Sequence, residues 1–270
     1  MTDHHSEKRS RARGANRIRN RRRIGRLASL LLASCGAGGA GVEVDPVDPG
    51  PGTPLEEEQD PASYPANPAD QFRFLSRATF GPNEADFVRL EQMGYEAWLD
   101  EQLALPSTHH RPLIEAKQAT VGTLNSIHRQ DVWWEVAVTS PDQLRQRVAF
   151  AWSELFVISD DDPTLFQNTV GVTDYYDLLV DGAFSNYRDL LEDVALSPVM
   201  GVYLSMHKNI PSEPGSNQHP DENFAREVMQ LFSIGLVQLG PNGSVLTGPS
   251  GEPLPTYDQE EVEELSLIHI

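Results

Sequence analysis

The sequence predicts a mainly α-helical protein, an irregular multi-helix domain with one small β-hairpin. Three observations predict it. From Gln71 onward, apolar residues recur three and four positions apart. Helix start and stop signals punctuate that rhythm, with Ser, Asn or Asp ahead of a run and Gly or Pro behind it. Two short alternating segments, Leu236-Val237-Gln238-Leu239 and Ser244-Val245-Leu246-Thr247, flank a Pro241-Asn242-Gly243 turn. No repeat period and no second domain is apparent.

The elements follow in order. Phe72, Leu75 and Thr79 form a first helix that breaks at Gly81-Pro82. Phe87, Leu90 and Met93 form a second, which Gly94 should cap at its C-terminus because glycine adopts the left-handed conformation freely. Trp98, Leu99 and Leu103 run on to Pro106. One helix is expected over residues 113–127 and another over 132–138. Ser140-Pro141-Asp142-Gln143 reads as a helix start, with serine capping, proline in the first turn and glutamine closing a capping box. The helix it opens carries Leu144, Val148, Ala151 and Leu155 on one face. Phe150, Trp152 and Phe156 widen that face, which marks the helix as central. Arg147 and Glu154 lie seven apart on one of its stripes and are candidates for a polar network. Further helices are expected over residues 173–181, 186–196 and 198–206, then a polar loop over 207–218. Pro255-Thr256-Tyr257-Asp258 opens the last helix, with acids in its first turn as the dipole favours.

The stretch His219-Pro220-Asp221-Glu222-Asn223-Phe224-Ala225-Arg226-Glu227-Val228-Met229-Gln230 holds the candidate catalytic residues. A helix is expected over residues 220–234, and at about 100° per residue Asn223, Arg226, Glu227, Gln230 and Ile234 share one stripe, while Phe224, Ala225, Val228, Met229, Leu231 and Phe232 fill the opposite face. A solvated face explains this pattern. The stripe nevertheless has no lysine and is built from planar, directional hydrogen-bonding groups, which suit a cleft wall. On that reading Glu227 is the acid/base, Arg226 the anion clamp and Asn223 their companion, with Gln230 in the same network.

The first 70 residues read as an address and a tether. Arg21-Arg22-Arg23-Ile24-Gly25-Arg26 leads into an apolar run ending Leu32-Ala33-Ser34-Cys35, which resembles a bacterial lipobox. Residues 1–35 are therefore expected to be a signal peptide and Cys35 the lipidated residue, attaching the protein to a membrane. Residues 36–70, dense in Gly, Pro and acids, cannot bury enough apolar surface to offset chain entropy and are expected to be a disordered tether. The helical domain is expected over 71–264.

Charge excludes one class of partner. Residues 1–35 hold ten of the 21 Lys/Arg and two of the 40 Asp/Glu, leaving eleven basic against 38 acidic residues in the rest. Such a body repels phosphate backbones, so nucleic acid is not the expected partner. His207, His219, Asp221 and Glu222 lack the spacing of a metal site, and Asp160-Asp161-Asp162 lacks that of a calcium loop and reads as a solvated turn. No cofactor motif is present.

Several segments resemble one bacterial family, domain of unknown function 1800. They are Arg73-Phe74-Leu75-Ser76-Arg77-Ala78-Thr79-Phe80-Gly81-Pro82, Gln143-Leu144-Arg145-Gln146-Arg147-Val148-Ala149-Phe150-Ala151, Asn186-Tyr187-Arg188-Asp189-Leu190-Leu191, Ser197-Pro198-Val199-Met200 and the stretch from Asp221 to Gly235. Tyr257-Asp258-Gln259-Glu260-Glu261-Val262 continues the set. The resemblance implies a mostly helical, exported protein with no established activity, and by analogy a second exported envelope protein as partner. Many members carry histidines after the tryptophan of the central helix, whereas Trp152 here is followed by Ser153-Glu154-Leu155. The sequence thus supports two functions: a lipid-anchored cell-envelope binding or scaffold protein, or an envelope hydrolase using the Asn223, Arg226 and Glu227 cluster.

The family's domain continues past the Tyr257 helix, but this chain reads Leu265-Ser266-Leu267-Ile268-His269-Ile270. That hexapeptide resembles a translated transposon adapter, so residues 265–270 are expected to be foreign and the domain cut short. Resequencing the source locus should show an open frame that departs from this hexapeptide. A native stop codon directly after Ile270 would overturn the expectation.

Overall fold

The computed structural model describes residues 64–213, 215 and 218–267. Cys35, the signal segment and most of the tether lie outside the described residues. The described chain is mainly helical. In order come α1 (Pro68–Ala78), α2 (Glu84–Ala104), α3 (Arg111–Val121), α4 (Ser126–Thr139), α5 (Gln143–Leu155), a short 3-10 turn (Leu165–Gln167), α6 (Thr169–Gly182), α7 (Tyr187–Ala195), α8 (Pro198–Tyr203), α9 (Asn223–Gln230) and α10 (Gln259–Ser266).

Local chemistry sets the helix boundaries. α1 starts inside the segment assigned to the tether, because Asn67 Oδ1 accepts the Ala69 and Asp70 N–H groups and Pro68 takes the first turn. Gly94 bends α2 instead of ending it. Its φ of 75° breaks the helical path, and the chain turns helical again at once. The single helix expected over 113–127 is two. Gly122, at φ 81°, ends α3, and Asn125 opens α4 through a reciprocal capping box with His128. Histidine in the box position hid that start.

The start of α5 also differs from its expectation. Ser140 closes α4, its N–H bonded to the Val136 carbonyl at 2.9 Å. Gln143 closes no capping box. Its amide Nε2 donates to the Ala137 and Ser140 carbonyls, and its Oε1 accepts the Phe80 N–H at 3.0 Å. One side chain thus clips the ends of α1 and α4 to the start of α5.

Three apolar clusters hold the helices. Leu75 and Leu90, both fully buried, join Trp98 between α1 and α2, with Phe74 edge-on to Trp98 at 5.2 Å. Each such leucine contributes about 1.5–3 kcal/mol by leaving water. The main cluster centres on α6, which packs against α3, α4, α5, α7 and α8. Phe156, wholly buried at the end of α5, meets Phe232 edge-on at 5.1 Å and stacks near Tyr187 at 5.9 Å. A third cluster, Ala225, Met229 and Val262, joins α9 to α10.

Between the helical bonds at its two ends, side chains satisfy the connection over residues 105–111. Arg145 Nη2 donates to the Leu105 carbonyl at 3.3 Å. Asp142 Oδ2 accepts the Thr108 N–H at 2.9 Å, and Gln146 Nε2 donates to the Thr108 carbonyl at 2.9 Å and to Asp142 at 3.2 Å. Asp177, on α6, accepts the His110 and Arg111 N–H groups and the His110 ring Nδ1, all within 2.8–2.9 Å. Asp177 therefore caps α3 from another helix.

The expected hairpin is one leg of a three-segment unit, and a repeat does exist there. Gly240-Pro241-Asn242-Gly243 recurs eight residues on as Gly248-Pro249-Ser250-Gly251. Gly235, Gly243 and Gly251 keep that spacing, with φ of 75°, 79° and 88°. Gln238 N–H bonds the Leu254 carbonyl, Leu254 N–H the Leu246 carbonyl and Leu246 N–H the Gln238 carbonyl, each at 2.9 Å. The three segments close a ring. Pro253 and Pro255 leave Leu254 as the one inner donor of the third segment. The third segment is followed by Thr256-Tyr257 in place of a Gly-Pro pair, which masked the period.

Asp142→Ala tests the polar connection. It would strand the Thr108 N–H, at about 1–3 kcal/mol for a buried group left unpaired, while the Gln146 amide keeps its bond to the Thr108 carbonyl. The urea midpoint should fall with an unchanged slope. A loss below about 0.5 kcal/mol, the range of ordinary surface changes, would show that the connection is held by something else.

Candidate functional site

The stripe on α9 does not form a cleft wall. α9 spans eight residues, shorter than the expected helix, so Ile234 and the exposed Leu231 lie beyond it. Asn223 and Gln230 are exposed. Arg226 donates to Glu222 Oε2 at 2.6 and 3.1 Å and to Gln259 Oε1 at 2.9 Å, while Gln259 returns a bond to Glu222 at 2.7 Å. These bonds brace α9 against α10 on the surface, where an ion pair is worth up to about 1 kcal/mol. Glu227 is half-buried, and its Oε2 is closed to solvent without a hydrogen-bond partner. Neither of the two cavities described below is lined by an α9 residue.

Arg147 and Glu154 sit elsewhere, on α5, and the structure brings them together as the sequence spacing implies. Both line one groove. Glu154 also reaches a second cavity of about 310 Å³ between α4, α5 and α6. Trp133, Trp134, Phe150 and Tyr176 form its aromatic wall. The Trp133 ring meets Trp134 edge-on at 4.9 Å and tilts over Phe150 at 5.7 Å. Trp134 keeps 61 % of its surface exposed at this wall. A stacked aromatic edge with one open indole offers a flat apolar face to a ligand.

Polar groups border that face. Arg129 donates to Asp160 at 2.8 and 3.2 Å, so Asp160 is paired with a half-buried guanidinium and is not part of a merely solvated turn. Its neighbour Asp162 caps the 3-10 turn through the Thr164 and Leu165 N–H groups. Tyr175 donates its hydroxyl to the Phe156 carbonyl at 2.7 Å, and burial drives its titration far upward. Tyr176 differs. Burial pushes its hydroxyl up to about 12, with Asp177 and Glu154 adding to the rise and Trp133 and Arg147 opposing it. Its Oη is closed to solvent, with the Trp133 indole as a neighbouring donor and no acceptor for its own O–H. The hydroxyl stays protonated and has a donor to offer.

His110 lies beside this wall, edge-on to Tyr176 at 4.9 Å. Its Nδ1 is held by Asp177 in a buried pair that belongs to the α3 cap. His109 bonds the exposed Asp181 at 2.8 Å. Burial lowers the His109 titration, but the Asp181 hydrogen bond and charge outweigh it, so its pKa is raised overall. Among the described residues, no three His, Cys, Asp or Glu side chains converge in a metal-binding arrangement.

Trp133, Trp134, Tyr176, Arg129 and Asp160 are absent from the sequence-derived candidates. The Trp133-Trp134 doublet carried the available signal. Adjacent helical residues point about 100° apart, so both rings cannot enter one core.

No curated protein and no solved structure matches the chain. The family described as Protein of unknown function (DUF1800) matches residues 73–268, which takes in every helix after the start of α1, and the chain belongs to that family.

Proposed function

We propose that this chain is an exported, lipid-anchored cell-envelope protein that binds a ligand in the aromatic cavity between α4, α5 and α6. The cavity itself carries the binding reading. It joins an open indole to a stacked aromatic wall bordered by the Arg129–Asp160 pair, a combination that suits a flat ligand. The lipobox-like Leu32-Ala33-Ser34-Cys35, with its arginine-rich lead, supports the address. An acidic body tethered at a membrane surface resists binding to anionic polymers. The hydrolase reading draws less support. Arg226 already directs its Nε and Nη2 donors to Glu222 and Gln259, and the Glu222 carboxylate offsets its charge toward an anion.

Two measurements test the two halves. Cys35→Ala should move the protein from the membrane fraction to the soluble exported fraction, and an unchanged membrane fraction would remove the anchor. Soluble peptidoglycan fragments and neutral oligosaccharides, titrated against the full chain, should include a class that changes tryptophan fluorescence saturably. Phe150→Ala should weaken that binding about tenfold or more. A panel without any saturable response, or a response indifferent to Phe150→Ala, would refute binding at this cavity.

A further inference from the structure

The second groove, of about 450 Å³, is more open and lies along α5 beside the end of α1. Arg77 from α1 and Arg147 and Glu154 from α5 are its charged lining. The described residues contain nine arginines. Arg73, Arg89, Arg111, Arg129, Arg145 and Arg226 each lie within 4 Å of a carboxylate oxygen. Arg77, Arg147 and the exposed Arg188 have neither an ion pair nor a side-chain hydrogen bond, and of these three Arg77 and Arg147 line the groove. Acids outnumber bases more than three to one beyond residue 35, so an arginine without an acid partner goes against the composition. Arg77 has one local reason for its place, since a cation in the last turn of α1 meets the negative end of the helix dipole. Arg147 sits mid-helix and has no such reason.

Rings hold Arg147 in place of an acid. Its Cζ lies 5.2 Å from the Phe80 ring centroid and 5.7 Å from that of Phe150. Stacking engages the faces of the guanidinium and leaves its N–H edge available. Phe80 is itself fixed by the Gln143 clip on its N–H and by Trp133, edge-on at 5.3 Å. A half-buried guanidinium, oriented by two fixed rings and with its donors unspent, is preorganised for an anion.

The charge balance selects the anion. Two arginines and one glutamate sum to a single positive charge, which a carboxylate neutralises and a phosphate dianion overfills. Phe150 and Glu154 line both this groove and the aromatic cavity. We infer that Arg147 and Arg77 form a carboxylate-binding subsite, and that the ligand couples one carboxylate to a flat body lying on the Phe150 and Trp133 side. The inference builds on the aromatic cavity as a binding site, and it adds the ligand's charge and the residues that read it.

The experiment uses benzoate, its neutral isostere benzamide and inorganic phosphate at constant ionic strength. Each is titrated against the full chain, with tryptophan fluorescence as the readout because Trp133 contacts both rings that hold Arg147. Benzoate should bind at least about tenfold more tightly than benzamide, the loss expected when a charged hydrogen-bonding pair is absent. Arg147→Gln should erase that preference and Arg77→Gln should shrink it. Arg77 is exposed, so its variant reads the charge without disturbing the fold. Arg147→Lys should keep the charge but lose most of the preference, because an ammonium lacks the stacked fork. Equal binding of benzoate and benzamide would overturn the subsite while leaving the aromatic cavity standing. A preference that survives Arg147→Gln, or tighter binding of phosphate than of benzoate, would also overturn it. Failure of benzoate to bind at all overturns it too, whereas the saccharide and peptidoglycan panel judges the cavity separately.

Discussion

The connection over residues 105–111 is the constraint on which the rest of the arrangement depends. It leads from the α1–α2 cluster into the main core, and between the Leu105 N–H bond that ends α2 and the His110 carbonyl that starts α3 its backbone partners are side chains. A buried backbone group left unpaired costs as much as a lost hydrogen bond. Asp142, Arg145 and Gln146 reach it from α5, and Asp177 reaches it from α6. Those four side chains fix the start of α3. From there α3 and α4 are placed across α6, and α4 brings Trp133 and Trp134 opposite Phe150. The aromatic cavity is therefore a consequence of a polar suture anchored on the same helices as its wall, with Gln146 one turn before Phe150 and Asp177 next to Tyr176.

The same helix, α5, serves two masters. Its first turn, with Asp142, Arg145 and Gln146, is spent on the suture. Its later residues, Arg147, Phe150 and Glu154, are not needed there and line the two cavities. The three-residue spacing from Arg147 to Phe150 puts the guanidinium beside the ring, and the seven-residue spacing to Glu154 returns an acid to the same stripe. Arg145 and Arg147 illustrate how position decides role. Arg145, one residue into the buried side, donates to the Leu105 and Val180 carbonyls and lies over Phe184. Arg147, turned about 200° from it, meets only rings.

What the sequence made legible was whatever depends on period and local caps. The helical class and the shared stripe of Arg147 and Glu154 follow from spacing, whereas the helix at the centre of the main core is α6 and not α5. What it hid depends on distant partners. Gln143 looked like a capping-box residue because a box and a long-range clip use the same side chain at the same place. Asp160 looked like a turn acid because Arg129, its partner, is 31 positions away. Tyr176 and Trp133 carried no motif at all, and only the packing of α4 on α6 turns them into a wall. The eight-residue recurrence around Gly243 and Gly251 was open to inspection, but its third leg lacks the Gly-Pro pair and so breaks the pattern.

The polar stripe of α9 shows why composition alone misleads. Asn, Arg, Glu and Gln on one face suit a cleft, but they equally suit a short helix that needs bracing. An eight-residue helix is too short to persist by itself and draws its stability from neighbours. α9 is held at its entry by Asn209, whose amide bonds both the Asp221 and Ser266 carbonyls at 2.7 Å and whose Oδ1 accepts the Asp221 N–H at 2.8 Å. Beyond its end, the Phe232 carbonyl accepts the Tyr187 hydroxyl. Along its side, Glu222, Arg226 and Gln259 close a three-residue network. Arg226 is thus tied into the helix's own support. Arg147, on a longer helix already fixed by the suture below it, has no such duty, and that freedom separates a guanidinium available to a ligand from one that is not.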